Sequence, residues 1–371
     1  MNAPAITLAR RLRASPFEER SISAARTVSV YNHVLLPTSY HSLEEDYWHL
    51  REHVQIWDVA CQVQVEVVGP DAVALMEYLT PRDVSRCKLG QCIYTPLTDE
   101  QGGIVNDPLV LRLAEDRFWM SLSDSDVMLW AKGIALGRGL DVRVFDPDVY
   151  PLSIQGPKAD ELLSRVLGDE IRNLGFFRFI ETEIADTPVV VARTGWSGQG
   201  GYEIYLQDPA MGTVLWDALV AAGEGLELRP GCPNLIERIE SGLLSFGNDM
   251  TLANNPLEAG LDRFFKLGKA PDYLGRAALE AIEEAGLKQR MVRLVIQGDP
   301  VANPRTVYPI ESTAGRGLGS LTSVAFSPRL GFNVALGYVP VADGEVGTAV
   351  NVMTPGGVRQ ARVADNDWSV A

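Results

Sequence analysis

From about residue 290 onward the chain carries short apolar strands separated by Gly and Pro turns (RMVRLVIQG, GSLTSVAFS, VALGYVPV, AVNVMTPGG), with no helical periodicity among them. Strands that short bury their apolar faces by closing into a small barrel or sandwich. A separate β domain is therefore expected over 286–371, and the polar helical stretch GRAALEAIEEAGLKQ just before it marks the boundary. Upstream the pattern is different. Residues 62–68 (QVQVEVV) alternate as a half-buried strand, Gly69-Pro70 breaks it, and DAVALMEYL follows at helical spacing. The same strand, Gly-Pro turn and helix recur at 149–166 (VYPLSIQGPKADELLSRV), through an internal duplication or through convergent turn chemistry.

Residues 92–122 read as strands broken by turns (CIYTPLT, IVNDPLVLRL, FWMSL), which favours α+β over a doubly wound sheet. Residues 42–57 (SLEEDYWHLREHVQIW) predict a helix with Ser42 as N-cap. The segments TPVVVAR and YEIYL predict strands flanking the Gly-rich loop TGWSGQGG, while GTVLWDALVAAG and PNLIERIESGLLSFG predict helices. With 371 residues, two or three domains are expected: an N-terminal arm over 1–30, two interleaved α+β domains over 31–285, and the β domain.

Lys+Arg number 33 against Asp+Glu 48, a formal charge of −15. No concentrated basic surface stands out, so nucleic acid is excluded as a partner, and only a local basic pocket for a small anion is left room. Cys61, Cys87, Cys92 and Cys232 form no CxxC pair and suggest no disulfide framework. The first twenty residues lack an apolar segment behind Arg10, Arg11 and Arg13, and no stretch reaches the ~18 apolar residues of a membrane span. A cytoplasmic protein is expected, with no membrane partner.

All four histidines (His33, His41, His49, His53) lie in the first fifty-three residues. His49 and His53 share a predicted helix face, but no further ligands follow at metal-site spacing, so packing or surface roles are expected and no metal. The loop Gly195–Gly201 leads into a strand rather than a helix, so it is not a dinucleotide fingerprint, and no phosphate-binding loop motif occurs. Two acids stand out. Asp107 in GGIVNDPLVLRL lies between a two-glycine turn and an apolar strand, where a carboxylate needs a task or a partner. Its plain alternative is a turn carboxylate capping backbone amides. Glu203 interrupts the strand after the Gly-rich loop, near Trp196, Tyr202 and Tyr205; a solvent-facing strand position is its alternative.

Together, IWDVA (56–60), GGIVNDPLV (102–110), IQGP (154–157), RTGWSGQGGYEIY (193–205), RIESGLLSFGNDM (238–250), NPLEAGL (255–261), DYLGRAAL (272–279) and GSLTSVAFSPRLGFNVALGYV (319–339) resemble the folate-dependent aminomethyltransferase family, that of the glycine cleavage T-protein. Within it, YNHVLLPT (31–38), EHVQIWDVAC (52–61) and GCPNLIERIESGLLSFGNDM (231–250) resemble the bacterial dimethylsulfoniopropionate demethylases. The generic T-protein pattern has paired acids where this chain has Asn106-Asp107, a Tyr-Thr-Gly-Glu where it has Trp196-Ser197-Gly198-Gln199, and a Gly-Ala-Arg-Asp-like stretch where it has Gly231-Cys232-Pro233-Asn234. Those departures count against a lipoyl carrier protein as partner. The oligomeric state, a homo-oligomer included, stays open.

The resemblance implies a three-domain cloverleaf around a central folate channel, ending in a β-barrel, with tetrahydrofolate as cofactor. By matching position it implies that Asp107 lies beside folate N5 and acts in catalysis, and that Glu203 pairs with the pterin ring. It further implies that Tyr94, thirteen residues before Asp107, and Trp196, seven before Glu203, line the site, and that Arg238 falls within a family helix motif, where cofactor contact is less clear. A carboxylate accepts two hydrogen bonds from a pterin edge while aromatic faces cover the ring. A methyl on cationic sulfur is already activated, because the leaving group departs as a neutral thioether. No enzyme nucleophile or metal is then required. Direct transfer from dimethylsulfoniopropionate to N5 would give 5-methyltetrahydrofolate and methylmercaptopropionate. Trp196, Tyr205, Tyr94 and Tyr31 are the aromatics expected to hold the sulfonium, at roughly 0.5–2 kcal/mol each, with core packing the alternative for each. Two other functions remain: methyl transfer from an amine such as glycine betaine or dimethylglycine, and a non-catalytic folate-binding regulatory role. Whether Cys232 is reactive or simply buried is open.

Overall fold

The computed structural model describes residues 9–124 and 126–370, which group into two compact units. The first gathers the chain through Val65 with Asp146–Gly195 and Gln199–Pro233, and the second holds Glu66–Phe145, Trp196–Gly198 and the chain from Asn234 on. Helices and strands mix in the α+β manner expected. Among the described residues no helix is long and apolar enough to cross a membrane.

A six-stranded sheet organises the first unit. Its order is Phe179–Ile184, Thr187–Ala192, Gly201–Leu206, Tyr150–Gln155, Val54–Asp58 and Leu228–Gly231, antiparallel except for the last pair. Because side chains alternate across a strand, Val54, Ile56, Leu152, Ile154, Val191 and Ile204 point to one side and share a core with Leu162, Leu163, Leu215 and Leu219 from the helices Ala159–Leu167 and Gly212–Ala222. The intervening residues face the other way, and several are polar. The N-terminal segment is folded onto this unit from Ser15: Phe17 is fully buried with its ring 6.4 Å from that of Trp216, and the Ser15 and Ser21 hydroxyls donate to Asp58 at 2.9 and 2.7 Å. The first eight residues of the predicted arm lie outside the described residues.

One predicted helix is shorter than its periodicity suggests. Ser42 accepts from the Glu45 backbone N–H at 3.1 Å and caps Leu43–Glu52 as expected, but Val54–Asp58 is a strand. Its five residues are all buried, pairing antiparallel with Tyr150–Gln155 and parallel with Leu228–Gly231. A place inside a sheet overrides the local helical spacing.

The second unit has a five-stranded sheet ordered Arg143–Phe145, Gln64–Val68, Arg117–Ser121, Leu109–Ala114, Gln91–Tyr94, with the helices Ala72–Tyr78 and Val127–Arg138 and a small hairpin of Leu97–Thr98 and Ile104–Asn106. The two strand-turn-helix repeats thus fall in different units, and each turn needs its glycine. Gly69 (φ +140°) would put a Cβ 2.6 Å from the Asp141 carbonyl oxygen, and Gly156 (φ +123°) would put one 2.4 Å from that of His53.

The C-terminal strands close into the expected barrel, ordered Gln289–Ile296, Phe332–Pro340, Gly317–Ser327, Tyr308–Ser312, Ala349–Thr354, Gly357–Ala364. Leu294, Ile296, Ile310, Val324, Ala335, Val339 and Val352 form its core. The helix predicted over PNLIERIESGLLSFG is cut to Leu235–Glu240. Asn234 caps it, accepting from Ile236 and Glu237 N–H groups at 3.0 and 3.3 Å, and Gly242 (φ +67°) turns the chain so that the Leu243 N–H donates to the Arg238 carbonyl at 2.8 Å.

Candidate functional site

Asp107 follows the short strand Ile104–Asn106, and Pro108 separates it from Leu109–Ala114. A break at that point drops the carboxylate out of the ladder and into a buried position, 9% exposed. The Tyr94 hydroxyl donates to one oxygen at 2.8 Å and the Ser123 hydroxyl to the other at 3.0 Å. Asn106 clamps Ser123 from both sides: its Nδ2 donates to the Ser123 carbonyl, and its Oδ1 accepts from the Ser123 N–H, each at 3.3 Å. An amide does this with both of its ends, whereas a carboxylate has no donor. Burial raises the Asp107 pKa from 3.8 to about 7, with the Asp249 charge adding to the rise and the two hydroxyls opposing it. The group therefore exchanges its proton near neutrality. Burial first, and then the neighbouring Asp107 charge, also hold the Tyr94 phenol well above its usual range, so Tyr94 stays a donor.

Tyr94 belongs to an apolar cluster with Ile104, Met250, Ala259, Leu261 and Phe264. The Tyr94 and Phe264 rings meet edge to face at 5.0 Å. Two guanidiniums lie over Phe264, that of Arg263 at 4.8 Å and that of Arg82 at 5.8 Å from the ring centre. Arg82 also donates to the Tyr94 carbonyl oxygen.

Trp196 and Arg238 are neighbours in the same unit, with the guanidinium 5.8 Å from the indole centre. Arg238 is buried and donates to Asp249 at 2.6 Å and to the Ser323 hydroxyl at 2.5 Å. Asp249 also accepts from Thr322 and Ser323 hydroxyls, both at 2.6 Å, and from the Ser245 N–H at 2.9 Å. Burial lowers the Arg238 pKa while Asp249 opposes the shift. The helix Leu235–Glu240, the loop carrying Asp249 and the barrel strand Gly317–Ser327 are thereby tied behind Trp196.

In the first unit, Glu203 and Tyr205 alternate with Tyr202, Ile204 and Leu206, which pack in the core. They therefore project from the opposite face of the sheet, with Ser153 directly across from Glu203. Trp57, Gln55 and Gln155 occupy that face too, all buried; the Trp57 indole N–H donates to Gln55 at 2.8 Å, and the Gln155 amide donates to Ser153 at 2.9 Å. Thr194 donates its hydroxyl to one oxygen of Glu203. Burial raises the Glu203 pKa, and hydrogen bonds from Thr194 and Tyr205 oppose the rise. A buried carboxylate on a polar sheet face is the donor-edge partner a pterin needs, so the residues present fit tetrahydrofolate.

The structure thus brings the expected residues together as three pairs: Tyr94 with Asp107, Glu203 with Tyr205, and Trp196 with Arg238. Tyr31 ends the strand Thr27–Tyr31, opposite Val34 in the hairpin with Val34–Ser39, and is half-buried. His49 is buried, its Nε2 against the Glu227 carbonyl at 2.8 Å, and burial lowers its pKa to about 4, so it stays neutral. Among the described residues no group of three or more His, Cys, Asp or Glu could hold a metal ion. Cys232 is buried, and burial pushes its thiol up to about 12. Ser123, Thr194, Asp249 and Phe264 are not among the residues that sequence reasoning singles out. Asp249 and Thr194 lie within family-like motifs, whereas nothing local to Ser123 or Phe264 signals a role.

The family model for the GCVT N-terminal domain matches residues 19–269, and that for the glycine cleavage T-protein C-terminal barrel domain matches 289–367. The chain is 45% identical over 360 residues to a dimethylsulfoniopropionate demethylase of Ruegeria pomeroyi, covering 97% of this chain and 98% of that protein. It is 30% identical to an aminomethyltransferase of Moorella thermoacetica, over 95% of this chain and 96% of the relative. Among solved structures, the glycine cleavage system aminomethyltransferase T from Bartonella henselae superposes with a TM-score of 0.86 at 25% identity, covering 96% of this chain and 98% of that one.

Proposed function

The chain belongs to the glycine cleavage T-protein family, and we propose that within it this protein is a tetrahydrofolate-dependent demethylase that moves one methyl group from dimethylsulfoniopropionate to N5 of tetrahydrofolate, releasing methylmercaptopropionate. The observation that carries the donor is the full-length 45% identity to a protein of that name, against 30% to an aminomethyltransferase. Asn106, Trp196 and Gln199, which depart from the generic T-protein pattern, agree with a small-molecule donor in place of a lipoyl carrier protein. A cytoplasmic setting, where folates are kept reduced, completes this reading.

Tetrahydrofolate supplies the nucleophilic nitrogen that accepts the methyl. The protein's part is alignment and proton handling. Glu203, held by Thr194, offers its carboxylate to the pterin edge. Asp107, which ionises as pH rises through about 7 and is steadied by Tyr94 and Ser123, takes in its ionised form the proton that the methylated nitrogen must lose. Trp196, backed by the Arg238–Asp249 pair, and the half-buried Tyr94 ring offer π faces to the sulfonium, while the Tyr205 ring, expected to share that task, is fully buried. Holding nitrogen, methyl carbon and sulfur in line is worth on the order of 7–11 kcal/mol of barrier.

Purified protein incubated anaerobically with tetrahydrofolate and dimethylsulfoniopropionate tests this, with glycine betaine and dimethylglycine in parallel. Methylated folate is expected from the sulfonium alone. Methylation from an amine but not from the sulfonium would move the donor, and folate binding without any transfer would make the protein a binding module.

A further inference from the structure

We propose that Arg82 and Arg263 form a subsite for an aliphatic carboxylate, placed on the Phe264 ring beside the Tyr94–Asp107 pair. The inference rests on the demethylase reading for its two candidate ligands, the propionate of the donor and the glutamate tail of the folate. Three observations converge on it.

First, both guanidiniums lie within 6 Å of one ring centre, and that ring touches Tyr94, whose hydroxyl holds Asp107. Second, neither cation forms an ion pair with a carboxylate among the described residues, in a chain where acids outnumber bases 48 to 33. Three other buried or half-buried cations of the same unit do pair, Arg117 with Glu66 at 2.9 Å, Arg238 with Asp249 at 2.6 Å and Lys269 with Glu77 at 2.5 Å, and the half-buried Arg112 is satisfied by the Cys87 and Glu115 carbonyls at 2.8 and 3.1 Å. Arg82 is half-buried, yet among the described residues its guanidinium donates only to the neutral Tyr94 carbonyl. A cation taken partly out of water without a counter-charge is costly, and burial lowers the Arg82 pKa accordingly. Third, a further cation stands near. Burial first, and the charge of Arg263 second, push the Arg293 guanidinium below its ordinary value, while Asp365 and Asp367 oppose the shift. Asp365 and Asp367 thus serve Arg293, and Arg82 and Arg263 are left to an incoming anion. A carboxylate fits a guanidinium fork bidentately, and both substrates carry one at the end of a flexible chain away from the reacting atom.

The test compares R263Q with R82Q, using ligands that lack the carboxylate as controls. Arg263 is exposed, so its variant is expected to fold, and a thermal melt of each variant confirms this. Should R82Q melt early, R82M, which keeps the apolar stem over Phe264 and removes the cation, takes its place. Binding is read by calorimetry for tetrahydrofolate and for the amide of tetrahydropteroic acid, which has neither the glutamate nor any free carboxylate; KM is read for dimethylsulfoniopropionate and for its carboxamide. One outcome is a roughly tenfold weaker tetrahydrofolate Kd in R263Q with the Kd of the tetrahydropteroic amide unmoved, which assigns the subsite to the folate tail. The other is a roughly tenfold higher KM for the sulfonium acid with that of the carboxamide unmoved, which assigns it to the donor. Unchanged Kd and KM in folded variants at both positions overturn the subsite. The two readings fail separately. A wild type that takes no methyl from the sulfonium, while R263Q still loses tetrahydrofolate selectively, sinks the donor and keeps the subsite; normal turnover with no discrimination by either variant does the reverse.

Discussion

Replacing Asp107 by Asn separates the catalytic role proposed for this carboxyl from its cost to the fold. In the folded chain burial raises its pKa from 3.8 to about 7. The folded protein therefore binds a proton that the unfolded chain has already released. Its contribution to stability is complete below about pH 4 and is lost as pH rises through about 7. Roughly three powers of ten in proton affinity, at about 1.4 kcal/mol each, come to about 4 kcal/mol at pH 8. The amide introduced by D107N would not ionise, but its nitrogen would replace one oxygen that now accepts from Tyr94 or Ser123, which costs about 1 kcal/mol. A net gain of about 3 kcal/mol at pH 8, and a small loss at pH 4, follow for D107N. Urea denaturation of both proteins at the two pH values measures it. The same variant is expected to lose about 10²–10⁴ in turnover, together with the acid limb near pH 7 in its turnover profile. Its folate affinity should stay within a few fold. A D107N protein less stable than wild type at pH 8, or one that turns over normally with the acid limb in place, would refute the assignment of a raised pKa to a working base.

Glu203→Ala is expected to weaken folate binding by two to three powers of ten, the loss of a charge-assisted contact of about 3–4 kcal/mol; calorimetry with tetrahydrofolate reads it directly, and a melt controls for folding. Asp249→Asn strands the buried Arg238 and should destabilise the protein by about 3–5 kcal/mol, visible as a lower urea midpoint, whereas an unchanged midpoint would show that the pair is not buried as described. Gly201→Ala would place a Cβ 2.2 Å from the Ile154 carbonyl oxygen at φ +146°, so loss of soluble folded protein is expected on expression. Cys232, with its thiol pushed up to about 12, should resist a thiol reagent at pH 8 until denaturant is added; rapid labelling of the native protein at that residue would contradict its burial.

Much of this architecture is legible in the sequence because it is written in local terms. The Gly-Pro breaks at Gly69 and Gly156 end strands where positive φ is required, and the barrel follows from strands that have no helix to cover them. Val54–Asp58 misleads because helical spacing and a buried strand share the same apolar residues, and only pairing on both sides decides between them. The helix after Asn234 stops early because Gly242 closes it, a local signal outweighed by the apolar run beyond. At the site, Asp107 and Glu203 are visible as acids in apolar strands. Their partners are not. Ser123 reaches Asp107 from sixteen residues away and Phe264 reaches Tyr94 from much farther along the chain, contacts that no spacing rule encodes. The lack of a carboxylate partner for Arg82 and Arg263 among the described residues is likewise a property of what surrounds them.

The most direct measurement of the central claim uses dimethylsulfoniopropionate with both S-methyl groups deuterated, incubated with the protein and unlabelled tetrahydrofolate and followed by mass spectrometry. One labelled methyl on N5 of the folate for each methylmercaptopropionate that retains the other is the predicted result. Unlabelled folate beside intact sulfonium would contradict the demethylase reading, whatever the fold.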